Sequence, residues 1–193
     1  LYTREEVFYS HRGRHPFHMK YRTGCTAEGK LRSVDAEIVL DGGAYASFGL
    51  VTTYYSGQLL CAPYAMPAYR FDSTRVYTNK PACGPKRGHG SVQPRFAFEV
   101  QLDKLAERVG LDPIEFRRLN FIGENTRTVN ELRITSNGFL ECLDAVERAS
   151  EWRSKFRAMP FGRGIGVAGI LDFDLNLNGF TLVGTGGGRQ FEM

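Results

Sequence analysis

Apolar and polar residues change rhythm several times along this chain, and each change marks an element. From Phe17 to Cys25, Phe17, Met19 and Tyr21 alternate with polar neighbours, the two-residue period of a half-buried strand. Ala27-Glu28-Gly29-Lys30 then supplies a hairpin-type connection in which Gly29 can take positive φ. Leu31 to Asp41 is the second strand of the pair and ends at Gly42-Gly43. From Leu50 to Ala62 the spacing shifts to three and four among Leu50, Val51, Tyr54, Tyr55, Leu59 and Leu60. That predicts a mostly buried helix, stopped by Pro63 and Pro67. Tyr69 to Tyr77 returns to alternation as a third strand. Ahead of all this, Glu5 to Phe8 reads as a short strand end and Arg12 to Pro16 as a basic turn.

The second half has a helical pattern. Ser91 is the expected N-cap of a helix with Pro94 in its first turn. Phe98, Leu102, Leu105 and Val109 share one face as far as Gly110, a C-terminal cap. Asp112-Pro113-Ile114-Glu115 restarts a helix, with Asp at the N-cap, Pro at N1 and Glu at N3, and it ends near Asn120. Asn130 to Ser136 reads as extended and Asn137-Gly138 as a turn. Phe139, Leu140, Leu143, Val146 and Trp152 mark one further amphipathic helix, and Ile165 to Ala168 the start of a buried strand. Beyond that the pattern fades. The stretch is low in charge, with Asn176, Asn178 and a Gly186-Gly187-Gly188 run that reads as a flexible segment rather than a phosphate site. The expected division is residues 1–168 as one partial domain and 169–193 as a divergent or truncated tail. The order strand, strand, helix, strand, loop, helices lacks regular βαβ alternation. It points to an α+β fold with the loop where sheet and helices meet.

That loop, Thr78 to Ser91, holds three glycines and two prolines, which exclude a helix interior or a central strand. Between the breakers lie Lys80, Lys86, Arg87 and His89. A glycine-rich turn feeding a helix start offers backbone N–H groups and the positive end of the helix dipole, which suits an anion. Composition alone fits a solvated basic surface loop equally well.

Bulk properties narrow the function classes. Hydrophobic content of 42% and charged content of 24% are those of an ordinary globular protein, and no apolar run reaches membrane-spanning length. A net charge of +4, spread out, does not point to nucleic acid. Cys25, Cys61, Cys83 and Cys142 show no C-x-x-C spacing, so neither zinc nor an iron–sulfur cluster is expected on this chain. His11, His15 and His18 lack a matching carboxylate, and Pro16 interrupts any helix there, so no metal set is assigned. Reduced thiols without a secretory signal point to the cytoplasm. A first residue other than Met makes the chain read as an internal piece.

Arg14-His15-Pro16-Phe17, then Asp41-Gly42-Gly43-Ala44-Tyr45, then Thr78-Asn79 with Arg87-Gly88, then Leu111-Asp112-Pro113 running to Arg117-Arg118-Leu119-Asn120, come in the order of a known family. The chain resembles, over about residues 1 to 168, the molybdopterin-binding large subunit of the xanthine dehydrogenase family. The resemblance implies a molybdenum–molybdopterin cofactor, in its cytosine dinucleotide form. It also implies electron transfer to iron–sulfur clusters and FAD on partner subunits, and oxygen chemistry at an electron-poor carbon. It places cofactor contacts on Pro85, Lys86, Arg87 and Gly88, with Lys86 standing where the family's A-F-R-G-type loop has an aromatic residue. His89 falls where purine oxidisers carry a stacking Phe, and Tyr55 where they carry a substrate-binding Arg, which counts against purines. Gly88 replaces the copper-binding Cys of the carbon monoxide dehydrogenases and excludes that subtype.

Within the family, Tyr55 to Leu60, together with Cys83-Gly84 and Arg87-Gly88-His89-Gly90, is most similar to the α subunits of 4-hydroxybenzoyl-CoA reductases. These remove a phenolic hydroxyl from an aromatic thioester, in aromatic degradation. The implied catalytic pair is Tyr55, a hydrogen-bond donor, and His89, a proton shuttle. Read without the resemblance, Tyr55 fits a core position and His89 an ordinary loop histidine. Two other readings stay open. One is oxidation of an aldehyde, a purine or an N-heterocycle. The other is a non-catalytic, degenerate binding domain. The family's pterin-binding glycine segment and base glutamate fall outside this chain, so inactivity alone, exposed apolar surface and poor solubility are expected.

Overall fold

The computed structural model describes residues 1–169 and, beyond them, the backbone of 171–176, 179–184 and 190–192. The elements run α1 (Arg4–Ser10), β1 (Phe17–Cys25), β2 (Leu31–Asp41), α2 (Gly49–Gln58), β3 (Ala68–Val76), α3 (Val92–Val109), α4 (Pro113–Leu119), β4 (Thr126–Arg127), β5 (Arg133–Ile134), α5 (Phe139–Ala149), α6 (Trp152–Lys155), β6 (Leu171–Asn176), β7 (Gly179–Gly184) and β8 (Gln190–Glu192). β6, β7 and β8 make an antiparallel sheet. The Gly186–Gly188 run and Asn178 lie outside the described residues.

The site rests on the sheet β1-β2-β3. β1 and β2 pair antiparallel from Phe17↔Leu40, around a turn where Gly29 has φ 88°. β3 joins the other side of β2 in parallel, Ser33↔Ala68 to Asp41↔Val76. So β2, α2 and β3 form one βαβ crossover inside an α+β fold. A single crossover sets up no repeating pattern, which is why alternation along the sequence did not show it. Leu31, Val34 and Ala36 of β2 pack with Phe98, Leu102 and Leu105 of α3, and with Phe116, Phe139 and Leu143. Alternation on β2 and the i, i+4, i+7 spacing on α3 are what let those two faces meet.

The motif at residues 111–120 turns out to be structural. Asp112 caps α4 by accepting from Ile114 N–H at 2.8 Å and also receives Trp152 Nε1–H at 2.8 Å. Arg117, fully buried, donates to Glu99 at 2.8 Å and to Asp103 at 2.7 Å. Asn120 accepts from Leu31 N–H and donates to the Gly29 carbonyl, so it fastens α4 to the hairpin.

Several sequence expectations are corrected. Glu5–Phe8 is helical, not a strand end, because Thr3 and Glu6 form a capping box in which each side chain accepts from the other's backbone N–H. α2 ends at Gln58 rather than Ala62, and its inner face is Thr52, Tyr55 and Ser56, leaving Leu50 and Tyr54 exposed. Ser91 is in the helical region and makes no side-chain cap. Only Arg133–Ile134 of the Asn130–Ser136 stretch is strand. The helix predicted from Phe139 to Trp152 breaks at Ser150–Glu151, where Glu151 takes φ 53°, into α5 and α6. Ile165 to Ala168 is not a strand; glycines at 162, 164, 166 and 169 flank and interrupt it. Tyr45, Phe48, Leu50, Tyr54 and Tyr77 are exposed large side chains, in line with the apolar surface expected.

Candidate functional site

The loop after β3 is tied down at both ends before it reaches its exposed tip. At its base the Asp41 carboxylate accepts from Gly43 N–H at 3.1 Å, from the Thr78 hydroxyl at 2.6 Å and from Lys80 Nζ at 2.5 Å. Lys80 above all, then Thr78 and Gly43, hold the Asp41 carboxyl well below the usual carboxylate range. Backbone bonds continue the tether. Cys83 N–H donates to the Gly42 carbonyl, and Gly84 N–H to the Gly13 carbonyl. A Cβ on Gly84 would lie 2.6 Å from Arg12 Cδ, so a larger residue there would have to displace the Arg12 side chain.

At the tip, Pro85, Lys86 and Arg87 are exposed, while Gly88 and Gly90 are buried with φ 79° and 78°. Arg14 clasps the turn from beneath, donating to the Arg87 carbonyl at 2.7 Å and to the Gly88 carbonyl at 3.4 Å. The side chains of Lys86 and Arg87 form neither ion pair nor hydrogen bond among the described residues. Several cations (Arg12, Arg14, Lys80, Lys86, Arg87) thus belong to this loop or its supports, against one carboxylate at the base.

α2 is the loop's wall. Ser56 donates to the Gly90 carbonyl at 3.0 Å, and a Cβ on Gly90 would fall 2.5 Å from the Thr52 carbonyl oxygen. This contact brings two sequence-predicted residues together. The rings of Tyr55 and His89 meet edge to face, with centroids 5.8 Å apart. Burial pushes the Tyr55 hydroxyl up and the His89 imidazole down from their ordinary values, so both favour their neutral forms.

Thr52, Arg14, His15, Asp41 and Gln93 escaped sequence reasoning as site residues. His15 is buried at 3% exposure, and burial, then Arg75 and His89, lower it to about 4. Among the described residues its Nε2 has no hydrogen-bond partner, and neither has the buried Oε1 of Gln93, whose amide nitrogen donates to the His15 carbonyl at 3.0 Å. His15 was visible as part of a failed metal set and of the Arg14-His15-Pro16-Phe17 motif; its role depends on burial, which no local pattern announces.

Residues 1–121 match the family model of the molybdopterin cofactor-binding domain. The chain is 33% identical over 172 residues to the xanthine dehydrogenase molybdenum-binding subunit of Escherichia coli O157:H7, covering 86% of this chain and 23% of that protein. It is 38% identical over 152 residues to the nicotinate dehydrogenase large molybdopterin subunit of Eubacterium barkeri, covering 77% of this chain and 36% of that one. The fold superposes on quinoline 2-oxidoreductase from Pseudomonas putida 86 with TM-score 0.73 at 22% identity, over 80% of this chain and 20% of the other. The chain therefore spans between 23% and 36% of the length of these two curated relatives. The family match takes in the whole Thr78–Ser91 loop, its Asp41 base and its α2 wall, and the chain belongs to the molybdopterin cofactor-binding domain family.

Proposed function

We propose that this chain is the part of a molybdenum-bearing oxidoreductase subunit that meets the cofactor through the tip of the Thr78–Ser91 loop. The observation that carries the reading is the cofactor-binding family match across residues 1–121. The residues present fit such a group. Lys86 and Arg87 are exposed cations without side-chain partners among the described residues, suited to an anionic pterin. The positive φ of Gly88 turns the backbone at the tip, where its N–H could approach a bound molecule closely. The unpartnered His15 Nε2 and Gln93 Oε1 are the kind of buried polar atoms that a native protein satisfies with a bound group or water.

In this reading Pro85, Lys86, Arg87 and Gly88 hold the cofactor, in its cytosine dinucleotide form. The bound group supplies two-electron oxygen transfer at an electron-poor carbon. Arg87 and the loop N–H groups hold negative charge near the reacting centre. Tyr55 orients the substrate through its hydroxyl, and His89 holds or releases a proton. Iron–sulfur and FAD subunits accept the electrons, and the assembly works in the cytoplasm. The substrate class we favour is an N-heterocycle, as the name of the nicotinate relative says of that protein, or an aldehyde, with Tyr55 in place of a purine-binding Arg. A second reading, reductive dehydroxylation of 4-hydroxybenzoyl-CoA, is favoured by the phenol and imidazole at 5.8 Å, which pair a hydrogen-bond donor with a proton carrier.

The test is to purify the complete subunit with its partners, measure molybdenum per subunit, and assay nicotinate, aromatic aldehydes and 4-hydroxybenzoyl-CoA. Near one molybdenum per subunit with turnover of one of these supports the proposal. A folded assembly without molybdenum or pterin overturns it in favour of a degenerate binding domain.

A further inference from the structure

We propose that Thr52 is a positioning residue that fixes the tautomer of His89, placing the ring proton on Nε2 and leaving the Nδ1 lone pair for the bound molecule. This rests on the proton-handling role of His89 given above. Thr52 Oγ1 lies 2.6 Å from His89 Nε2 and 3.2 Å from the Phe48 carbonyl oxygen one turn back on the same helix. A hydroxyl carries a single proton, and a carbonyl can only accept. Giving the Thr52 proton to Phe48, as helical Thr residues commonly back-bond to residue i−4, satisfies both contacts, whereas giving it to His89 leaves two oxygen atoms 3.2 Å apart with no proton between them. Thr52 Oγ1 is left as an acceptor, and a contact of 2.6 Å then requires a proton on His89 Nε2.

Other observations agree. The Phe48 carbonyl also favours a protonated nitrogen on His89, opposing the larger effect of burial. Thr52 is 1% exposed, and its χ1 is restricted by β-branching. The wall behind it is rigid. Ser56 Oγ lies 2.7 Å from the Thr52 carbonyl oxygen and 3.0 Å from the Gly90 carbonyl oxygen, sharing its one proton between them. Burial keeps the ring neutral near pH 7, so the Nδ1 lone pair is available.

The proton step balances simply. A substrate O–H or N–H bonded to Nδ1 breaks, its electron pair stays on the substrate heteroatom, and an Nδ1–H bond forms. The imidazolium so made keeps its Nε2–H on Thr52. A ring with the opposite tautomer presents Nδ1–H instead and cannot accept.

The experiment uses the complete subunit with its partners, labelled with 15N in histidine. The variants are Thr52→Val and Thr52→Ser, and His89→Gln assigns the resonance. The wild type is expected to show His89 with unprotonated Nδ1 and protonated Nε2. Thr52→Val is expected to lose that single tautomer, and Thr52→Ser to retain it. A wild type protonated at Nδ1, or an unchanged tautomer in a folded Thr52→Val, overturns the proposal. If Thr52→Val fails to fold, the wild-type tautomer and its retention in Thr52→Ser decide. The reading needs no turnover, so it separates from the proposed function: His89→Gln at wild-type kcat/KM would remove the role of His89 while the tautomer result stood.

Discussion

Lys80 Nζ lies 2.5 Å from Asp41 Oδ2, joining the first residues of the loop to the end of the central strand β2. The same carboxylate takes Thr78 and Gly43, so one side chain holds together the two segments that support the loop. Asp41 is held below its ordinary value in the fold, so its contribution to stability is present above about pH 4 and is lost as pH falls below that. Asp41→Asn should weaken the protein at pH 7 and flatten the acid limb of its Tm-against-pH curve. Melts from pH 7 to pH 2 check this; parallel acid limbs for the two proteins would refute it.

His15 acts in a different window. Its folded value is about 4 against 6.5 unfolded, so between those values the unfolded chain binds the extra proton. Stability should fall as pH drops from 6.5 to 4 and gain no further loss from this residue below 4. His15→Gln removes this titration and should reduce the slope in that interval, the remainder belonging to His89, which burial also lowers, while leaving the Asp41 limb in place. Denaturant midpoints at pH 7, 5.5 and 4 measure it.

What could be read in advance was what is encoded locally. β1 and β2 were bounded correctly by alternation, and α4 by Asp112-Pro113. The loop stood out because glycines, prolines and cations are neighbours in sequence. Thr52 and His89 are 37 residues apart, and Arg14 and Arg87 are 73 apart, and only the β2–α2–β3 crossover and the packing of the loop bring them together. The inner face of α2 was misjudged for a related reason. The helix packs small and polar residues against the backbone of Gly90, so its apolar residues Leu50 and Tyr54 face outward. At α1 the Thr3-Glu6 capping pair was present in the sequence, but Glu5 to Phe8 is too short for its period to separate helix from strand.

Gly90 is a point where the loop tolerates no side chain. Its φ is 78°, and an added Cβ would meet the Thr52 carbonyl oxygen at 2.5 Å and Tyr55 Cβ at 3.2 Å. Gly90→Ala should cost about 1–3 kcal/mol from backbone strain alone. It should also push His89 off Thr52, mixing its tautomers. Urea unfolding with the histidine 15N spectrum reads both effects. A variant of wild-type stability with an unchanged His89 signal would show that the loop does not bear on α2 as described.

Glu99 on α3 gathers Arg117, the Tyr64 hydroxyl and the Gly169 N–H on one buried carboxylate. Removing one charge of such a pair leaves the other stranded in the core, which costs about 3–5 kcal/mol. Arg117→Met should show that cost in urea unfolding, because Glu99 keeps only neutral donors and a distant Arg95 contact at 3.9 Å. Glu99→Gln should cost less, because Arg117 retains Asp103 at 2.7 Å. The double variant Arg117→Met with Glu99→Met should recover part of the single-variant loss, since no charge is then left unpaired. The coupling is the discriminating quantity: strictly additive losses would mean that the two side chains do not stabilise each other. A recovered double variant would show that the arginine of the 111–120 motif is retained for the partner it holds.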